Sequence, residues 1–113
     1  MKMRLEYTEA AKNDLKAIFN YISFDLIAPD AAERIVGRIL SAIRSLQDSP
    51  EMYQLYRDNP WHDLGVRSLP VKNYVVFYRF KKEKSLITVI RIMYGGRDVS
   101  KQLEEVLNDL ILH

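Results

Sequence analysis

At the head of the chain Met3, Leu5 and Tyr7 alternate with Lys2, Arg4 and Glu6, the two-residue period of a half-buried strand. The period then changes. Thr8 has the side chain of a helix N-cap, and Glu9 sits in the first turn. Ala11, Leu15, Ile18, Phe19 and Ile22 recur at helical spacing to about Asp25. Ala28-Pro29-Asp30 breaks the pattern and restarts it, because proline is tolerated in a first helical turn. Ala32, Ile35, Val36, Ile39, Leu40, Ile43 and Leu46 mark a second apolar stripe ending near Ser49-Pro50. So short a break predicts that the two helices lie antiparallel as a hairpin. Ala10, Ala11 and Ala17 read as small residues where the helices approach closely, and Tyr21 and Phe24 as packing residues.

From Glu51 to Asp63 the chain is irregular, aromatic and interrupted by Pro60. Three strands are expected after it, at roughly Val66 to Val71, Tyr74 to Phe80 and Leu86 to Tyr94, with a tight connection from Lys81 to Ser85. A closing helix is expected from about Val99 to Leu112, with Val99, Leu103, Val106, Leu107 and Leu110 on one face. The order is β-αα-βββ-α. It implies an α+β fold in which the helical hairpin packs on a mainly antiparallel sheet. Tyr74 to Tyr78 is apolar at every position, and Leu86 to Met93 nearly so, so both sheet faces need cover. The hairpin covers only one. The closing helix or a partner chain is expected over the other.

A chain of 113 residues, 48% of them hydrophobic, suits one domain spanning 1–113. It has no cysteine, hence neither a disulfide framework nor a thiolate metal site. The stretch MKMRLEYTEA lacks the apolar core of a signal peptide, and no apolar run approaches the ~20 residues that span a bilayer. A cytoplasmic protein without a membrane partner is the expectation. Net charge is +2, but Gly65 to Arg97 holds eight basic residues against Glu83, or +7, and the other 80 residues sum to −5. The basic segment reads either as a solvated face or as a surface that attracts a polyanion.

The strand residues also resemble a known family. Val66-Arg67-Ser68-Leu69-Pro70-Val71-Lys72-Asn73-Tyr74-Val75-Val76-Phe77-Tyr78-Arg79 is similar to the strand pair of RelE/ParE toxins. Ile90-Arg91-Ile92-Met93-Tyr94-Gly95-Gly96-Arg97-Asp98 is similar to their closing strand, and Glu9 through Ile22 to their first helix. The resemblance implies the toxin of a type II toxin–antitoxin system, of the kind associated with plasmid stabilisation. It implies neutralisation by an acidic antitoxin, in a heterotetramer or larger complex, and no cofactor. Two targets occur in the family: RelE-like members cut mRNA in the ribosomal A site without a metal, and ParE-like members poison DNA gyrase. RelE-like ribonucleases place basic residues before the central strand and an arginine after its first tyrosine. Here Ser68 and Val75 hold those positions, and the ribonuclease's late tyrosine falls near Leu103. The ParE-like branch is therefore the closer match, with Tyr94 standing where many of its members have histidine.

Metal-free RNA cleavage needs a base, an acid and a charged group to stabilise the phosphorane. Arg91, Tyr94 and Arg97 are the candidate catalytic set if the chain is a ribonuclease. Arg67, Arg79, Arg91 and Arg97 are the candidate basic surface for a target, and parity suggests that the first three share one sheet face. Against this stands the reading of strand arginines paired with carboxylates. His62 beside Trp61 reads mainly as a surface or structural histidine, and His113 ends the chain. Gly95-Gly96 most simply supplies a turn with positive φ. No pair of carboxylates suits a two-metal nuclease, so no metal is expected. A third alternative is a non-toxic binding module, degenerate within the family.

Overall fold

The computed structural model describes residues 3–95, 99–104 and 106. Strand β1 (Arg4–Tyr7) runs straight into helix α1 (Glu9–Asn20) through Thr8. The Thr8 hydroxyl accepts the Ala11 N–H at 3.0 Å, as an N-cap should, and donates to the Ile90 carbonyl at 2.7 Å. Past Asn20 the helix loosens into a π-helical turn, Tyr21–Asp25. Ile27 then takes a left-handed φ of 53°, a conformation that costs a residue with a Cβ about 1–2 kcal/mol. Helix α2 (Pro29–Ser45) restarts with Pro29 in its first turn.

The sheet contains β2 (Val66–Val71), β3 (Tyr74–Lys81) and β4 (Leu86–Tyr94), a 3₁₀ turn at Lys82–Lys84 linking the last two. Spatial order is β1-β4-β3-β2. β2, β3 and β4 form the expected antiparallel meander, and β1 lies parallel to β4 at the edge, Arg4 opposite Leu86 and Tyr7 opposite Val89. One bulge interrupts β4: Phe77 faces Arg91 and Tyr78 faces Val89, leaving Ile90 as the extra residue. A short helix, α3 (Val99–Glu104), follows.

The helical hairpin covers the first sheet face, where Ile39, Ile43 and Leu46 pack with Leu69, Val76, Tyr78, Val89 and Ile92. The second face is covered from within the chain. Trp61 seals it against Val66, Phe77, Ile90 and Met93, with Leu103 and Val106 behind, and Tyr56 meets Phe77 edge-on at 5.6 Å. The irregular segment before β2 therefore shares this work with α3. It also shields part of the outer edge of β2, since Tyr56 N–H donates to Val66 O at 2.7 Å and Ser68 N–H to Gln54 O at 3.2 Å.

Three local expectations are corrected. Tyr21 and Phe24 are not packed: they are 54% and 72% exposed, because the π turn rotates the helix end out of the stripe that faces the sheet. Ala11 is buried, but Ala17 is exposed and does not sit in the helix contact. Gly95 does not have a positive φ; it allows close approach, with its N–H on Asn73 O at 2.9 Å and an added Cβ only 3.4 Å from that oxygen. Gly96, Leu107 and Leu110 lie outside the described residues.

Candidate functional site

Arg91 sits beside the β4 bulge and is 9% exposed. Its Nε and Nη2 donate to the two carboxylate oxygens of Asp14 at 2.7 and 3.0 Å, and its Nη1 donates to Gln102 O at 3.0 Å. Asp14 Oδ2 also accepts the Ile92 N–H at 2.9 Å. Asp14 thus satisfies an edge donor of β4 just beyond the point where β1 stops. The guanidinium ties α1, β4 and α3 together, and its charge is neutralised in the interior. Arg91 therefore contributes little to an exposed basic surface, contrary to the expectation that it faces a target.

The three strand arginines do not share a face. Arg67 stands opposite Tyr78 on the helix side and donates to Tyr53 O at 2.7 Å, anchoring the irregular segment to β2. Arg79 stands opposite Val66, half-buried on the second face, the face that Phe77 and Arg91 also occupy. Tyr94 is opposite Tyr74 on the helix side, the rings edge-on at 5.8 Å, and is 49% exposed. Arg91 and Tyr94 therefore lie on different faces and do not converge on one reacting atom. Arg97 and His113 fall outside the described residues. His62 is exposed at the surface, its Nδ1 3.4 Å from Asp63. Among the described residues no group of three or more His, Cys, Asp or Glu gathers to hold a metal ion, and no helix is long and apolar enough to cross a membrane.

Among the described residues, two concavities stand out on the surface. On the second face an open groove of about 440 Å³ is lined by Tyr53, Gln54, Ser68, Pro70, Val75 and Phe77. Ser68 and Val75 thus lie in one groove, and none of its lining side chains carries a formal charge. The other recess lies on the helix side, between α2 and the β2–β3 turn, and includes Arg34 and Arg38. Both arginines lie outside the basic segment from Gly65 to Arg97 that the charge pattern singles out. Their four-residue spacing on α2 was the available signal.

Burial also sets the chemistry of the tyrosines. Tyr78, in the first core, is pushed up to about 12 by burial, despite the lowering effect of Arg67, and its hydroxyl donates to Pro50 O at 2.8 Å. Burial likewise raises Tyr7 and Tyr74 above the ordinary phenol value.

A family model described as the ParE toxin of the type II toxin–antitoxin system parDE matches residues 5–99. A Sinorhizobium fredii protein, Y4kP, named as a candidate toxin, is 30% identical over 89 residues, 79% of this chain and 88% of the relative. Among solved structures, the chromosomal ParDE toxin–antitoxin system from P. aeruginosa matches at TM-score 0.67 and 27% identity, over 82% of this chain and 96% of that one. A mutant of the E. coli toxin RelE in the free state matches at TM-score 0.63 and 13% identity, over 93% of each chain, a likeness of fold.

Proposed function

Because the chain belongs to the ParE toxin family of type II toxin–antitoxin systems, we propose that it inhibits growth by binding and poisoning DNA gyrase, without catalysing a reaction itself. The observation that supports this reading is the uncharged groove holding Ser68 and Val75. Metal-free phosphodiester cleavage requires cations aimed at the phosphorane, and these lining residues supply none. Arg91 is engaged with Asp14 and is separated from Tyr94 by the sheet, which further weakens the ribonuclease alternative.

An acidic antitoxin is the proposed neutralising partner. Structural neighbours include toxin–antitoxin assemblies, among them the chromosomal ParDE system from P. aeruginosa and the RelBE2 complex from Mycobacterium tuberculosis. The basic segment from Gly65 to Arg97 supplies an attractive field through its residues other than Arg91, and the open groove supplies apolar contact. A supercoiling assay with purified gyrase, run beside in vitro translation, tests the target. Inhibited supercoiling with intact mRNA is expected. Cleaved mRNA with unaffected supercoiling overturns the proposal.

A further inference from the structure

At the β2–β3 turn, Arg34 and Arg38 of α2 line a recess of about 280 Å³ with Lys72, Asn73 and Tyr74. The two arginines are one helical turn apart, which places their Cβ atoms roughly 6 Å from each other. Lys72 joins them from a two-residue turn in which its own φ is 56°. All three cations are exposed, and among the described residues none has a carboxylate within 4 Å. No carboxylate contact among the described residues neutralises them, unlike Arg91.

Tyr74 lines the same recess, and a second ring packs against it on the side away from the turn. Tyr74 meets Tyr94 edge-on, and its hydroxyl lies within electrostatic reach of Tyr94 and Tyr21. Tyr21 is 54% and Tyr94 49% exposed, so both present ring surface to water around Tyr74, the aromatic residue that lines the recess with the three cations. A flat apolar group stacked on the rings would withdraw that surface from water.

We propose that this recess binds a single-stranded nucleic acid, with Arg34, Arg38 and Lys72 holding phosphates while Tyr21 and Tyr94 stack on bases. Guanidinium forks match phosphate oxygens two at a time, and stacking aromatics beside cations are the general means of holding an unpaired strand. A duplex keeps its bases stacked on each other and offers nothing to the rings. An acidic peptide engages the cations equally well but leaves the rings uncovered. The site lies on the opposite side of the sheet from the uncharged groove. It goes beyond the gyrase reading and does not depend on it.

The test is fluorescence anisotropy of a labelled oligo-dT of about twelve nucleotides titrated with the full chain at several salt concentrations. Combining Arg34→Gln, Arg38→Gln and Lys72→Gln should weaken binding at least tenfold. It should also flatten the slope of log affinity against log salt by about 2, since each phosphate contact on a single strand contributes roughly 0.7. Combining Tyr21→Ser and Tyr94→Ser should weaken binding about fivefold or more with the slope unchanged. Removing two exposed lysines of the 3₁₀ turn, Lys82→Gln and Lys84→Gln, should change affinity less than twofold. Equal loss in that control, or no salt-dependent binding by the parent chain, overturns the proposal. So does a polyglutamate chain that competes as strongly as the oligonucleotide while the tyrosine changes have no effect. Supercoiling is absent from the measurement, so failure of the gyrase reading is detected separately.

Discussion

Asp14 and Arg91 lie 77 positions apart and meet as a two-pronged, nearly buried ion pair, Oδ2 to Nε at 2.7 Å and Oδ1 to Nη2 at 3.0 Å. Removing one partner strands the other's charge in the interior. Asp14→Leu should therefore destabilise the fold by about 3–5 kcal/mol in urea unfolding. Adding Arg91→Met to it should recover part of that loss, because the second change removes the stranded charge. A double variant less stable than both single ones contradicts this account.

Tyr78 gives the fold an alkaline limit. Its phenol titrates near 10 when unfolded and at about 12 when folded. The folded form holds its proton longer, so the contribution is complete below pH 10 and declines as pH rises toward 12. Tyr7 and Tyr74 act in the same direction. Tyr78→Phe should flatten the alkaline arm of a stability–pH curve, and at neutral pH should cost about 1 kcal/mol for the hydrogen bond lost to Pro50 O.

Ile27 is 84% exposed and left-handed, so replacing it removes strain without removing packing. Ile27→Gly should raise stability by about 1 kcal/mol, read as a higher thermal midpoint. Ile27→Val, equally branched, should leave the midpoint nearly unchanged.

Trp61 supplies the seal on the second face from a segment without helix or strand. Trp61→Ala should cost about 3–5 kcal/mol and expose the sheet to hydrophobic dyes. A stable, dye-negative variant would show that α3 suffices as cover.

The helical hairpin was legible because its apolar residues recur over several turns with Thr8 and Pro29 marking the starts. The arginine arrangement was not, for two physical reasons. Strand parity identifies a face only when the other face is polar. Here Leu69 and Phe77 are both core residues yet point to opposite sides. The extra residue Ile90 then changes the face of Arg91 relative to Val89. The cover supplied by Trp61 left no periodic trace, since an irregular segment has no period. Arg34 and Arg38 were missed because the recess unites them with Lys72 only after α2 has packed against the sheet.

The pairing of β1 with β4 joins residues 4–7 to residues 86–89. During synthesis the first strand and both long helices leave the ribosome well before the strand that will receive them. Throughout that interval the apolar stripe of Ile39, Ile43 and Leu46 has no sheet to rest on. Completion of the fold must therefore await synthesis of residues 86–89, and a chain cut short before β4 carries an uncovered, sticky hairpin instead of a smaller version of the fold. Nascent chains stalled before residue 86 should accordingly be taken up by chaperones or degraded, a fate that also keeps incomplete copies from accumulating.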